Sequence, residues 1–143
     1  YKRRPHSAPT KQGATNMRVY IAGPIQGVEH EQAYRSDLED FVSAFGFQVY
    51  DPWKDEAIFY EHVNYDTACY LSRKDKQEVQ CSDLLIAYLP ACSIGTVREI
   101  EWALQANKRV VVICPMKSPS PHLVSVTTEF YRSLKEFKEK WRP

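Results

Sequence analysis

Three residues of this sequence, Glu99, Asp75 and Tyr20, have side chains whose chemistry suits a reactive site. Glu99 lies in the segment "CSIGTVREIEWA" (92–103), where a serine and a glycine precede helix-forming residues. The spacing Thr96-x-x-Glu99 is that of a capping box, in which the glutamate only closes the first helical turn. The alternative is a reactive carboxylate, because the positive end of a helix favours the ionised form that nucleophilic attack requires.

The other candidate residues also have purely structural explanations. Asp75 lies in the charged run "RKDK", which is typical of a solvated helix face. Tyr20 alternates along an apolar strand and can belong to the core. Ser93 is a common turn former, and Asp83 is assigned to structure at the start of a strand. The residues alone therefore leave both interpretations open.

The elements that must position these residues alternate between strand and helix. Four helices are predicted. Two cover 69–80 and 96–107, and the other two follow from apolar residues at helical spacing: Leu38, Phe41, Val42 and Phe45 in one, and Phe130, Leu134, Phe137 and Trp141 in the other. The segment 53–70 is interpreted as a loop and a short helix. The predicted strands are "MRVYIAG" (17–23), "FQVY" (47–50), "DLLIAYLP" (83–90) and "KRVVVICP" (108–115).

This alternation predicts a single α/β domain over 17–143 with a doubly wound, mostly parallel sheet, Rossmann-like or flavodoxin-like. Residues 1–16 are basic and contain no acid, so we expect a tail or an expression remnant there. Ligands of such sheets bind beyond the carboxyl ends of the strands. The places to search are therefore Gly23-Pro24, the loop after the second strand, 90–99 and 114–125.

Composition excludes several classes of function. The net charge of +1 argues against a nucleic-acid binder, and no apolar run approaches the ~18 residues that span a bilayer. No signal peptide is visible, so we expect a cytoplasmic protein. The four cysteines include no C-x-x-C pair and no histidine at ligand spacing, so reduced thiols are expected and neither a metal nor another cofactor is implied.

Three segments resemble the nucleoside 2-deoxyribosyltransferase family, including its branch of nucleoside 5′-monophosphate N-glycosidases. They are "VYIAGPIQG", "RKDKQEVQCSDLLIAYLP" and "SIGTVREIEWALQANKRVVVIC", which cover most of 17–115. The resemblance implies cleavage of the N-glycosidic bond of 2′-deoxynucleosides or nucleoside 5′-monophosphates, by hydrolysis or by transfer to another base. It also implies a homodimer with a shared active site.

The resemblance assigns a role to each candidate residue. Glu99 is the nucleophile that attacks C1′ of the sugar, Asp75 serves the sugar hydroxyls and proton transfer, and Tyr20 orients the nucleophile. Ser93 stands where the nucleotide-hydrolysing branch has a serine for the 5′-phosphate. The further substrate-binding residues that it implies are Gly23, Pro24, Ile25, Gly27, Gly95 and Ser125, the last reaching into the partner subunit's site.

The chemistry fits these roles on independent grounds. Cleavage of an N-glycosidic bond passes through an oxocarbenium-like transition state, which a carboxylate stabilises or captures covalently. A second group must protonate the departing base, so two carboxyl groups with separated pKa values are expected.

The first loop departs from the nucleotide branch, because Pro24 and Gln26 replace a serine and an arginine. A neutral Gln26 cannot supply a bidentate charged contact to phosphate, which leaves nucleoside and 5′-monophosphate as alternative substrates. Two other functions stay open: a nucleotide-sensing module without turnover, and cleavage of NAD at its nicotinamide ribosyl bond. Only fold analogy supports the second of these.

Overall fold

The computed structural model describes residues 16–56 and 63–143, and within them five strands form one all-parallel sheet in the order β2-β1-β3-β4-β5. The strands are β1 (Arg18–Ala22), β2 (Gln48–Tyr50), β3 (Leu84–Tyr88), β4 (Arg109–Ile113) and β5 (Phe130–Tyr131). The helices are α1 (Ala33–Ser43), α2 (Pro52–Asp55), α3 (Tyr65–Gln80), α4 (Ile94–Gln105), α5 (Pro121–Val124) and α6 (Leu134–Lys140). The predicted α/β fold with a doubly wound sheet is confirmed.

Helices cover both faces of the sheet, which explains why its central strands are apolar throughout. Val19 and Ile21 of β1 face the core that α1 and α6 complete with Leu38, Val42 and Phe137. The alternate side chains of β1, Tyr20 and Ala22, face the core on the other side of the sheet. Helices α3 and α4 contribute Val79, Ile100 and Ala103 to that core. Tyr20 therefore lies on the same side of the sheet as the helix that carries Glu99.

The segment between β2 and β3 differs from its prediction, and α4 begins two residues before the predicted position 96. Helix α3 begins at Tyr65, earlier than expected, because the Asn64 side chain accepts a hydrogen bond from the Thr67 N–H at 2.9 Å and fixes the first turn. Of the segment predicted as loop and short helix, the structure contains α2 and the start of α3, while 57–62 lie outside the described residues. Residues 1–15, predicted as a tail, also lie outside them.

The C-terminal prediction of one helix beginning near Phe130 is wrong. Phe130 and Tyr131 form β5, which pairs with Val112 and Ile113 of β4. Helix α6 begins only after Ser133, whose side chain caps it. None of the described helices combines the length and apolar composition needed to cross a membrane.

The end of β1 requires a glycine because a tyrosine ring lies directly against it. A Cβ atom added to Gly23 would lie 1.9 Å from Tyr34 Oη and 2.8 Å from Tyr34 Cζ. The Tyr34 ring is itself fixed by Tyr88, with ring centroids 4.4 Å apart. The loop that follows β1 can therefore pass over Tyr34 only without a side chain at position 23.

We predict that Gly23→Ala lowers the free energy of unfolding by about 1–3 kcal/mol, the usual range for overpacking. Tyr34→Phe restores only part of the loss in the double variant, since Cζ stays in place. Gly95→Ala is the matched control, because its new Cβ would have Glu99 Oε1 at 3.9 Å as its nearest neighbour. Urea denaturation measures all four proteins, and equal stability of Gly23→Ala and the parent would contradict the prediction.

Candidate active site

Ser93, rather than Thr96, caps the N-terminus of helix α4. Ser93 is the N-cap residue, and its Oγ accepts hydrogen bonds from the Thr96 N–H at 3.3 Å and the Thr96 hydroxyl at 2.9 Å. Thr96 is thus the third helical residue, and the predicted capping box with Glu99 is wrong. Glu99 lies in the second turn, where the field of the helix end is weaker. Its side chain has no capping role and is available to the adjacent cavity.

That cavity, of about 370 Å³, lies at the carboxyl ends of β1 and β3. One wall is the loop 23–26 after β1, and the other is the segment 92–96 that opens α4, with Asp75 and Glu99 as its acidic side chains. The chain leaves β1 and β3 in opposite directions at this point, which is where open α/β sheets bind ligands. The structure therefore brings Glu99, Asp75, Gly23, Pro24, Ile25, Ser93 and Gly95 to one hollow.

The Glu99 carboxyl group is poorly solvated. Its Oε2 atom is buried and has no hydrogen-bond partner within the described chain. Burial raises the pKa of Glu99 to about 7, against the opposing effects of the Tyr20 hydroxyl and the Arg35 guanidinium. Near neutral pH this carboxyl group therefore exchanges between its charged and neutral forms.

Asp75 keeps its proton to a higher pH than Glu99 does. Burial, a hydrogen-bonding interaction with Glu56 and the charge of Glu99 together raise the pKa of Asp75 to about 9, while Lys74 opposes the rise. The two acidic groups of the cavity thus have separated pKa values, as glycosidic cleavage requires. At neutral pH, Asp75 is a proton donor and Glu99 is the group that can be ionised.

Tyr20 lies in the core beneath these two groups. Its pKa is raised well above the usual value by burial first and then by the charges of Glu99 and Asp75, so the hydroxyl stays protonated. The ring stacks on Tyr50 with centroids 5.6 Å apart. Within the described residues the Tyr20 hydroxyl has no hydrogen-bond partner of normal geometry, although it is near enough to Glu99 for each to shift the other's pKa.

The Ser93 hydroxyl group can still donate a hydrogen bond, although its oxygen caps α4. Its oxygen accepts both hydrogen bonds from Thr96, so the hydroxyl proton can be donated into the cavity. The backbone N–H groups that open α4 lie on the same wall, and such groups bind anions well. Gly95 presents no side chain between this wall and Glu99.

Two of the predicted binding residues do not line the cavity. Gly27 adopts a φ of 82° in a turn, and its N–H donates to Glu29 at 3.2 Å. Ser125 ends α5, is exposed, and donates to the His122 carbonyl at 3.1 Å. Within a single chain, neither residue lines the cavity of Glu99.

Three buried charged residues near the site were not predicted from the sequence: Glu56, Arg35 and Asp51. Glu56 follows α2, accepts a hydrogen bond from the Tyr50 hydroxyl at 2.8 Å and interacts with Asp75. Arg35 and Asp51 form an ion pair at 2.8 Å beneath the loop after β1. Asp51 and Glu56 do lie in the loop after the second strand, so the strand-end rule already indicated their region. Nowhere in residues 16–56 and 63–143 do three or more His, Cys, Asp or Glu side chains converge as metal ligands would.

An apolar groove adjoins the cavity. It encloses about 500 Å³ and shares Cys92, Ser93 and Ile94 with the cavity. Its apolar lining comes mainly from Leu89, Ile94, Val97, Met116 and Leu123. Ile94 is 91% exposed although it directly follows the cap of α4. Ile94 therefore belongs both to the rim of the cavity and to this exposed apolar surface.

Comparison with protein families gives the identity of the fold. The model of the family described as nucleoside 2-deoxyribosyltransferase matches residues 19–131. The chain belongs to this family. It is therefore an enzyme of the nucleoside deoxyribosyltransferase and N-glycosidase class, which acts on nucleosides or nucleotides. No curated protein sequence matches the chain significantly.

Solved structures of low sequence identity share the family fold. A 2-deoxyribosyltransferase from Bacillus psychrosaccharolyticus is 15% identical, with a TM-score of 0.67 over 87% of this chain and 92% of that one. A 2-deoxyribosyltransferase from Leishmania mexicana is 16% identical, with a TM-score of 0.65 over 88% and 99%. The CMP N-glycosidase BcmB of Clostridium botulinum is 21% identical, with a TM-score of 0.59 over 86% and 96%.

The raised pKa of Glu99 has a consequence for stability. The native state holds the Glu99 proton up to about pH 7, whereas the unfolded chain releases it near its ordinary pKa of 4.5, so native stability falls as pH rises between these values. We predict that Glu99→Gln raises the free energy of unfolding by up to about 3 kcal/mol at pH 8 and leaves it nearly unchanged at pH 4.

Glu101→Gln on the exposed face of α4 is the control, and it should change stability little at either pH. Urea denaturation at both pH values provides the comparison. A Glu99→Gln protein that gains no stability at pH 8 would contradict the burial of charge at this position.

Proposed function

We propose that this enzyme cleaves the N-glycosidic bond of 2′-deoxynucleosides or nucleoside 5′-monophosphates, with Glu99 as the nucleophile. The observation that carries the proposal is the pair of acidic groups, Glu99 and Asp75, which share one cavity and differ in pKa. Attack by the ionised Glu99 carboxylate on C1′ forms a glycosyl ester while the bonding pair leaves with the base. Water or a second base then attacks C1′ and releases Glu99.

Asp75 supplies the proton in this scheme. Because its pKa is raised to about 9, Asp75 carries a proton over the pH range in which Glu99 becomes ionised. It donates that proton to the departing base, which otherwise leaves as a costly anion. Once deprotonated, the same carboxylate can accept a proton from the attacking water.

In this proposal, Tyr20 orients the Glu99 carboxylate through a hydrogen bond. Its hydroxyl stays protonated, because burial and the carboxyl groups of Glu99, Asp75 and Glu56 raise its pKa. A hydrogen bond from Tyr20 to the ionised Glu99 orients one carboxylate oxygen and leaves the other for attack. Burial of the ring against Tyr50 limits the positions that the hydroxyl can adopt.

The first turn of α4 supports a 5′-monophosphate as the substrate. The free donor of Ser93 and the backbone N–H groups of the turn form an anion site on the same cavity as Glu99. Gln26 on the opposite wall adds no charge, so a free nucleoside is the second candidate. The structural similarity to a CMP N-glycosidase concerns the fold and does not select between them.

The apolar groove supports a homodimer with a shared active site. The groove touches the cavity along Cys92–Ile94, so a second copy seated there would also close the opening of the cavity. Ser125 directly follows α5, the helix that carries the groove residue Leu123, and in this arrangement it can face the cavity of the partner. The cytoplasmic location stays a prediction from sequence.

The central experiment measures release of free base from a panel of deoxynucleosides, nucleoside 5′-monophosphates and NAD. We expect release from the parent, and a loss of at least about 10³-fold in Glu99→Gln with ligand binding retained, since the shape persists and the nucleophile does not. Glu101→Gln should keep parent activity.

Base release by Glu99→Gln near the parent rate would eliminate the nucleophile assignment. Tight binding without release in the parent would instead indicate a nucleotide sensor, and release of nicotinamide would indicate an NAD glycohydrolase. Addition of a second base distinguishes transfer from hydrolysis through the new nucleoside that forms.

For the dimer, we predict that Ile94→Glu produces monomers, because a charge placed in an apolar contact is strongly unfavourable. Sedimentation velocity measures the mass of the parent and the variant, with Trp53→Glu as a control on an exposed apolar residue that lines neither the groove nor the cavity. A parent that sediments as a monomer would overturn the dimer proposal.

A further inference from the structure

A buried arginine lies under the floor of the cavity. Arg35 of α1 is 2% exposed, which is unusual for a residue that normally projects into water. Its guanidinium donates to Asp51 Oδ1 at 2.8 Å, to the Gly23 carbonyl at 2.8 Å and to Gln32 Oε1 at 2.6 Å. Burial of this charge is tolerable only because each of these groups is an acceptor.

Through these contacts Arg35 joins the two loops that border the site. Gly23 belongs to the cavity wall after β1. Asp51 follows β2 and caps α2 by accepting a hydrogen bond from the Trp53 N–H at 3.0 Å. Glu56 lies at the other end of this short helix. Gln32 extends the same network to the Pro24 carbonyl at 3.0 Å. Arg35 therefore fixes the position of the loop that faces Glu99.

Charged and titratable groups approach Glu99 from several elements. They are Tyr20 of β1, Arg35 of α1, Asp51 after β2, Glu56 after α2 and Asp75 of α3, and Arg98 of α4 itself lines a pocket together with Asp75 and Glu99. Among the described groups that shift the pKa of Glu99 most strongly, Arg35 is the cation. Its guanidinium contacts Gly23, which lines the cavity of Glu99, whereas Asp51 does not line it, so the positive end of the ion pair lies towards the nucleophile.

We propose that Arg35 is a positioning residue for Glu99: it fixes the loop after β1, and its guanidinium, only partly neutralised by Asp51, keeps the buried Glu99 carboxylate ionised. The inference rests on the proposed function of Glu99. It predicts that the two members of the ion pair act on Glu99 with opposite sign. Removing the cation disfavours the Glu99 anion, whereas removing the Asp51 charge favours it.

The test titrates the Glu99 carboxyl group directly by NMR in protein labelled with ¹³C-glutamate, so turnover is not needed. The Glu99 signal is assigned by its absence in Glu99→Gln. We expect Arg35→Gln to raise the apparent pKa of Glu99 by about one unit and Asp51→Asn to lower it. Lys135→Gln, on the exposed face of α6, removes a distant charge and should leave the titration unchanged.

A purely structural role of the ion pair would not move the two titrations in opposite directions. Shifts of the same sign, or none in either variant, would overturn the inference. Should Arg35→Gln fail to fold, Asp51→Asn decides alone, because an unchanged or raised Glu99 titration in that variant contradicts the proposal.

Activity separates this inference from the proposed function. The acid limb of kcat/KM should move with the NMR titration, upward in Arg35→Gln and downward in Asp51→Asn. Base release that persists in Glu99→Gln would defeat the proposed function whatever the titrations show. Base release that depends on Glu99, without the opposed shifts, would defeat only the role of Arg35.

Discussion

The removal of acidic groups from water is the physical constraint on which this site depends. Glu99 and Asp75 share a hollow in which burial makes each additional negative charge costly, so their pKa values separate and they do not ionise together. The nearby guanidinium of Arg35 offsets part of that cost for Glu99. A glycosidase needs such an arrangement, since one group must give up its proton while its neighbour retains one. The site in consequence lowers native stability at neutral pH, and the cores on both faces of the sheet must compensate for it.

The parallel sheet is what brings the acidic groups together. Strands β1 and β3 are neighbours in the sheet, so Tyr20 and the segment that follows β3 meet although they are far apart in sequence. The chain leaves the two strands in opposite directions and opens a cleft between them. The glycine at position 23 lets the first loop lie close over Tyr34, where it forms one wall of this cleft. The same architecture leaves the apolar groove beside the cavity, where the proposed partner subunit would exclude more water.

The fold was largely predictable from sequence, because β-branched runs such as that of β4 alternate with helical periodicity. The errors have local causes. The two-residue β5 is too short to show a strand pattern, and its residues also fit a helical face. Thr96 and Glu99 match a capping box, yet Ser93 is an equally good cap three residues earlier and its side chain makes the hydrogen bond. Arg35 escaped notice because a charged residue in an amphipathic helix is usually exposed, and only tertiary contacts show where it lies. Glu56 lies after a strand end that the sequence already indicated as a place to search, but its interaction with Asp75 is invisible in sequence.

The most direct test of the account is a search for the glycosyl ester on Glu99. The enzyme is mixed with substrate, quenched in acid during turnover, digested and analysed by mass spectrometry. The account predicts an added (deoxy)ribosyl mass, with or without phosphate, on the peptide that contains Glu99, and no such adduct in Glu99→Gln. Sustained base release with the adduct on another residue, or with no adduct under conditions in which release of the sugar is rate-limiting, would contradict it.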